Sequence, residues 1–303
     1  MVTNRSFGNM TTKHPQPRPG VFIIFSLFIF LFSVYNTSCD KKNKIKYTSP
    51  PGYDLNKPYL YKLPSSLDEI SGVDFYPKDS SVFAIEDEHG WLYKIFLKTP
   101  LKIERWKFGK AGDYEDVAMA DSVFYVLNSK GKLEKLKFIG DSVILKTFNF
   151  SEEGKNEYET LFYDKDHRRL IIICKDCEND QKKELTSLAF DPSTDSFSIA
   201  FVISTLKIKE QLKEEKFKFK PSAAAIHPLT GELYIISSVD KVLVILNKDH
   251  TVKSSYPINP DLFKQPEGLT FTKKGDLIIS NESAKTGSAN ILFFKFENPN
   301  NQQ

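Results

Sequence analysis

Residues 265–282 read QPEGLTFTKKGDLIISNE, with a glutamate held between proline and glycine just ahead of an apolar–polar alternation. Taken alone, Glu267 is a solvated turn residue at the mouth of a strand. The pattern recurs, however. Residues 69–87 read EISGVDFYPKDSSVFAIED, 113–128 DYEDVAMADSVFYVLN, 157–176 EYETLFYDKDHRRLIIICKD and 220–238 KPSAAAIHPLTGELYIISS. Each has a polar start, a short apolar run, a turn of Pro, Asp, Lys or Gly, and a second apolar run that ends polar. Aligned by their starts, Ser71, Glu115, Glu159, Ser222 and Glu267 fall in one column, at steps of 44, 44, 63 and 45 residues. Self-similarity at a period of about 40–50 residues, with several short strands in each, is the signature of a propeller blade.

Within each repeat the alternation predicts four antiparallel strands, A to D, separated by turns such as Tyr76-Pro77-Lys78-Asp79 and Lys274-Gly275-Asp276. The last repeat runs out after its third strand, ANILFFKF at 289–296. PYLYKLP at 58–64 is placed to supply the missing outer strand, closing the ring and hiding two sheet edges. The expected fold is all-β: a five-bladed β-propeller of four antiparallel strands per blade, closed by an N-terminal strand, with six blades as the alternative. The longer step in the third repeat places an insertion after its last strand, at about 202–220. Strand A starts, strand B ends and D–A connections share one face of a propeller. The glutamate column, the insertion and the B-strand ends Asp87, Asn128, Asp176, Ser238 and Glu282 are therefore expected together.

The chain has 303 residues, 40% of them hydrophobic, enough for one large core. Its first 38 residues are a different object: Arg5, Lys13 and Arg18 precede VFIIFSLFIFLFSV (21–34), and Thr37-Ser38 precede Cys39. Such a basic leader and short apolar core read as a secretory signal. The residues before Cys39 resemble a lipobox, with Asn36 where an aliphatic residue is usual; Cys39 is then the lipidated mature N-terminus. An uncleaved anchor or plain secretion are the alternatives. The expected organisation is a lipoprotein signal at 1–38, a flexible tether at 39–56 and the propeller at 57–303, outside the cytoplasm and anchored in the bacterial cell envelope, the periplasm included. Without the three basic residues of the leader, 39 of the 42 Lys and Arg face 39 Asp and Glu. That balance speaks against nucleic acid as a partner. The basic stretch at 206–220 is interleaved with Glu and Gln and reads as a solvated face.

Three carboxylates converging on a channel mouth repel one another unless a cation or a proton intervenes. Calcium takes six to eight oxygen ligands and tolerates irregular geometry, so Glu115, Glu159 and Glu267 suit it, helped by Ser71, Asp87, Asn128, Asp176, Asn281 or Glu282. The competing reading has each glutamate accept backbone N–H groups of the neighbouring blade. Cys174-Lys175-Asp176-Cys177 forms a local disulfide or two free thiols, and Lys175 pairs with a carboxylate or takes an anion. No catalytic motif with a nucleophile is present in the sequence.

The ordered set EISGVDF, DYEDVAM, EYETLFY, PSAAAIHPLTGELYIIS and QPEGLTF with IISNE, over about 60–297, resembles the SdiA-regulated (YjiK-like) family of bacterial extracytoplasmic β-propellers. The resemblance implies a five-bladed ring with a calcium site, distantly related to NHL-repeat propellers. Those relatives include enzymes as well as binding modules. It assigns Glu115, Glu159 and Glu267 to the family's blade-start glutamates and Ser71 and Ser222 to its serine starts. In the fourth repeat Ala223-Ala224 replaces the usual Ser-Gly, which puts in doubt a ligand from that blade. Two functions follow as expectations: a calcium-binding module for an unidentified small molecule or protein, or a calcium-dependent hydrolase of lactones, esters or phosphoesters.

Overall fold

The computed structural model describes residues 47–298 apart from Asp141, 151–153, Asn179, 181–182, 215–216 and 285–286. The signal, Cys39 and the first part of the tether lie outside the described residues.

Five four-stranded antiparallel sheets form the ring. Blade 1 is β2 (Ile70–Tyr76), β3 (Ser81–Glu86), β4 (Trp91–Phe96) and β5 (Lys102–Lys107). Blade 2 is β6 (Tyr114–Ala120), β7 (Val123–Asn128), β8 (Lys132–Ile139) and β9 (Ser142–Asn149). Blade 3 is β10 (Asn156–Asp164), β11 (Arg169–Cys177), β12 (Glu184–Asp191) and β13 (Ser196–Ser204). Blade 4 is β14 (Ala223–Ile226), β15 (Leu233–Ser237), β16 (Val242–Leu246) and β17 (Val252–Pro257). Blade 5 takes β18 (Pro266–Phe271), β19 (Leu277–Asn281) and β20 (Asn290–Phe294) from the C-terminus and β1 (Tyr59–Lys62) from the N-terminus. β1 pairs with β20, Tyr59 opposite Phe293 and Lys62 opposite Asn290, as the ring-closure reading requires. Five sheets settle the blade number; six is excluded.

Second and third strands of the blades are sandwiched between neighbouring sheets and carry near-continuous apolar runs: SVFAIE in β3, LYIIS in β15, VLVIL in β16 and LIISN in β19 are buried throughout. The outer strand β9, SVILKTFN, is mostly exposed. The core divides into five clusters, one in each seam between adjacent blades. The insertion after β13 forms a helix, α1 (Thr205–Leu212), whose Ile208 is buried in the seam of blades 3 and 4. The stretch 47–56, placed by composition in the tether, is packed: Leu55 is buried between blades 4 and 5, and the Tyr53 hydroxyl donates to the carbonyl of Gly275 at 2.5 Å. The packed part of the chain therefore begins ahead of residue 57.

Candidate functional site

The inner strands do not pair evenly with their neighbours. In β6 the register slips between Tyr114, opposite Asn128, and Asp116, opposite Leu127, leaving Glu115 as the extra residue. In β10 it slips between Tyr158, opposite Cys174, and Thr160, opposite Ile173, leaving Glu159. In β18 it slips between Pro266, opposite Asn281, and Gly268, opposite Ser280, leaving Glu267. Each glutamate of the column is thus the unpaired residue of a β-bulge, a device that re-aims a side chain at the end of a strand. Blade 1 slips at Ser71-Gly72, whereas blade 4 pairs Ala223–Ile226 with Ile236–Leu233 without a slip.

The glycine after Glu267 is needed for packing. A Cβ on Gly268 would lie 2.8 Å from Ser71 O and from Val73 N in blade 1. Likewise a Cβ on Gly72 would lie 2.6 Å from the Asp116 Cα of blade 2. Strand starts and strand ends meet at this face through backbone bonds: Asp87 N donates to Glu69 O (3.2 Å), and Tyr114 N to Asp87 O (3.0 Å). Glu86 accepts from Glu88 N (3.1 Å) and His89 N (2.9 Å), folding the loop that carries Asp87.

Burial and mutual repulsion govern the charges here. Burial, with Asp113, Glu267 and Asp87 adding to it, pushes Glu115 up to about 8. Burial raises Glu267, countered by a hydrogen bond from Ser238 and by the ammonium groups of Lys175 and Lys241. Asp87 is pushed to about 6 by burial and by Glu69, Glu88, Glu86 and Asp113. Glu282 is raised to about 8 by burial, a hydrogen bond with Glu69 and the charge of Glu267. Asp87 Oδ1 and Asn281 Oδ1 are buried without a hydrogen-bond partner. Blades 5, 1 and 2 therefore present an under-neutralised, oxygen-rich patch.

Not every expected residue joins it. Glu159 forms an ion pair with Lys175. Asp176 pairs with Lys220 at 2.6 Å, and Asn128 Oδ1 accepts Lys130 N within its own turn (3.2 Å). Ser71 is buried in the seam with blade 5, where its carbonyl accepts the Ser280 hydroxyl. Among the described residues, only Cys174, Cys177 and Asp180 bring three His, Cys, Asp or Glu ligand atoms within 4.8 Å of one another, so Glu115, Glu159 and Glu267 do not close on one point. Like-charge repulsion and the lysine on Glu159 account for the spread. Cys174 and Cys177 form a disulfide.

Among the described residues, the inter-blade capping that the competing reading expects of the glutamates is done by other side chains. Asp116 Oδ2 accepts Leu161 N of blade 3 (2.7 Å) and its Oδ1 accepts Val117 N (2.8 Å). Asp74 Oδ2 accepts Met119 N of blade 2 (2.7 Å), and Thr270 Oγ1 accepts Phe75 N of blade 1 (3.1 Å). The signal for these staples is a carboxylate set against apolar neighbours in an inner strand, as in Val73-Asp74-Phe75.

Beside Glu115 and Glu159 opens a polar cavity of about 990 Å³, lined also by Asp113, Lys130, Lys155, Lys175 and Glu178. At the far end of the inner strands, a cavity of about 280 Å³ is walled largely by apolar residues including Phe75, Met119, Ile226 and Phe271. No described helix is long and apolar enough to cross a membrane.

Solved structures with a similar fold include XC5397, a gluconolactonase from Xanthomonas campestris (TM-score 0.52, 10% identity, 82% of this chain and 96% of that one). A luciferin-regenerating enzyme gives a TM-score of 0.50 at 11% identity, over 79% of this chain and 95% of that one. A protein of unknown function from Bacteroides thetaiotaomicron gives 0.51 at 14% identity, over 74% of this chain and 58% of that one. At such identities the likeness is one of fold alone. No curated protein matches the sequence significantly. The SdiA-regulated family model matches residues 59–296, the whole ring from closing strand to last strand, and the chain belongs to that family.

Proposed function

We propose that this SdiA-regulated propeller is a membrane-tethered, extracytoplasmic calcium-binding module. Glu115 and Glu267 would hold the ion, with Asp87, Asn281 and Glu282 beside them and Glu159 joining when Lys175 leaves it. The observation that carries this reading is the bulge: three blades each use an unpaired residue to aim a glutamate at one face. The donor set suits a hard cation in kind, being all oxygen, short of neutralising charge and including two buried oxygens without partners. Binding would have to draw the carboxylates together, since among the described residues no three of them gather within 4.8 Å. Ligand or partner would be met at the same face, where the polar cavity opens. Metal analysis of the purified protein after dialysis against calcium tests the reading: one tightly held ion per chain is expected. None retained would refute it.

Cys39 is proposed as the lipidated residue. Cys39→Ser should abolish fatty-acid labelling and membrane partitioning; a variant that still labels and partitions would rule out this anchor.

A second reading is favoured by the open cavity beside Glu115: calcium-dependent hydrolysis of a lactone, ester or phosphoester. Calcium, when bound, would supply Lewis-acid polarisation of a substrate oxygen. Asp87, held to about 6, and Glu282, near 8, do not line the cavity but sit among the carboxylates around Glu115 and Glu267. They are the chain's own candidates for taking up a proton at that face. Hydrolysis of a lactone panel that requires calcium and is lost in Asp87→Asn or Glu282→Gln would establish it. A calcium-loaded protein inert on the panel would leave the binding module.

A further inference from the structure

Beside the carboxylate patch sits a cation of the protein's own. Lys175 forms an ion pair with Glu159, and its charge reaches Glu115 and Glu267 as well. Lys175 is not on an ordinary strand end. It lies inside the four-residue ring closed by the Cys174–Cys177 disulfide, whose Cα atoms are 6.0 Å apart. Around that ring the pairing of β10 with β11 slips on both sides of Tyr158. The other enclosed residue, Asp176, is tied to Lys220 at 2.6 Å. So small a ring leaves its two middle residues few backbone conformations, which narrows the directions open to Lys175.

We propose that the Cys174–Cys177 disulfide is a redox switch on cation binding, holding Lys175 on Glu159 as a built-in competitor when oxidised and releasing it when reduced. The switch rests on the reading of this face as a calcium site. Release withdraws one positive charge from the patch and returns Glu159 to it as a free carboxylate. Both changes favour a divalent cation. The reductant required is a dithiol. One of its thiolates attacks the sulfur of Cys177, the more exposed of the pair, to form a mixed disulfide and expel Cys174 as a thiolate, which takes a proton. The dithiol's second sulfur then closes on the first and expels Cys177, which is protonated in turn. Two electrons and two protons pass from the dithiol to the protein, and the dithiol leaves as a disulfide.

Two measurements on the full-length protein test this, with folding checked by circular dichroism. Calcium affinity is determined by calorimetry in the oxidised and dithiothreitol-reduced states. In chelator, the rate of reductive methylation at Lys175 is followed by mass spectrometry. Reduction should tighten calcium binding at least tenfold and speed methylation at least threefold. Lys175→Met should bind tightly in either state, and Cys174→Ser/Cys177→Ser should behave as reduced without reductant. Equal methylation rates in both states and in the double variant would overturn the clamp. Calcium affinity unchanged by reduction, and by Lys175→Met in the oxidised protein, would overturn the switch. Redox-dependent methylation with calcium bound by no form would retire the calcium reading, and the switch with it, while showing that the clamp exists.

Discussion

Blades 4 and 5 are neighbours built on opposite plans. Blade 4 is one continuous stretch, β14 to β17, with an unslipped inner ladder and alanines at 223–225. Blade 5 is assembled from both ends of the chain, slips its register at Glu267 and points a carboxylate at the face it shares with Glu115. At the position matching Glu267, blade 4 has Ser222, whose hydroxyl donates to Pro266 O at 2.6 Å and so ties the two blades together. A blade therefore joins the ring without a bulge in its inner ladder and without a glutamate at its start. A buried glutamate kept at the expense of a ladder position is thus not required for ring closure.

The largest test of the contrast removes what blade 5 borrows. Deleting 57–66 takes away β1 and bares the edge of β20, a loss that blade 4, owning all its strands, cannot suffer. Loss of cooperative unfolding and aggregation on size exclusion are expected; a truncated protein that melts like the intact one would break the closure model. Next comes the stapling of blade to blade. Asp116→Ala strips two buried N–H groups of their acceptor and should cost about 3 kcal/mol in urea unfolding. Ala223, the blade 4 residue at the same offset, has no such duty, and Ala223→Gly should cost about 1 kcal/mol. Equal costs would mean that Asp116 staples nothing.

The blades also separate by pH. Glu115 and Glu282 are raised to about 8 and Asp74 to about 7, each chiefly by burial. Native pKa values above the unfolded ones mean that the folded state binds these protons more tightly. Their stabilising contribution is therefore full at low pH and is lost as pH rises toward 8. In chelator the protein should melt higher at pH 6 than at pH 8.5, with a slope of up to about 1.4 kcal/mol per pH unit for each group titrating there. Glu115→Gln should flatten the slope and Ser222→Ala in blade 4 should leave it alone. A slope of the opposite sign would show that these carboxylates are not charged against repulsion.

The fold was largely legible because blade strands announce themselves by apolar runs and turn residues; ISGVDFY, SVFAIE and VFYVLN are the strands β2, β3 and β7 to the residue. Period-two alternation does not reveal one extra residue, so the bulges that aim Glu115, Glu159 and Glu267 were invisible, although their column was plain. Asp74 and Asp116 carry the signal of a carboxylate among apolar neighbours, but the inter-blade N–H groups that make them staples, those of Met119 and Leu161, lie 45 residues away. Lys175 was expected to pair with a carboxylate or take an anion, but its partner Glu159 lies 16 residues away on the paired strand β10, and spacing alone does not single it out.

That three bulges serve one site is tested most directly by melting the protein with calcium and with chelator. A ligand that binds only the folded state adds about 2.7 kcal/mol at a hundredfold excess over Kd. Wild type and Ser222→Ala should show the full calcium-induced rise in Tm, Glu115→Gln and Glu267→Gln should lose most of it, and Glu159→Gln, already engaged by Lys175, should lose less. Equal calcium-induced shifts in wild type, Glu115→Gln and Glu267→Gln would contradict the shared site.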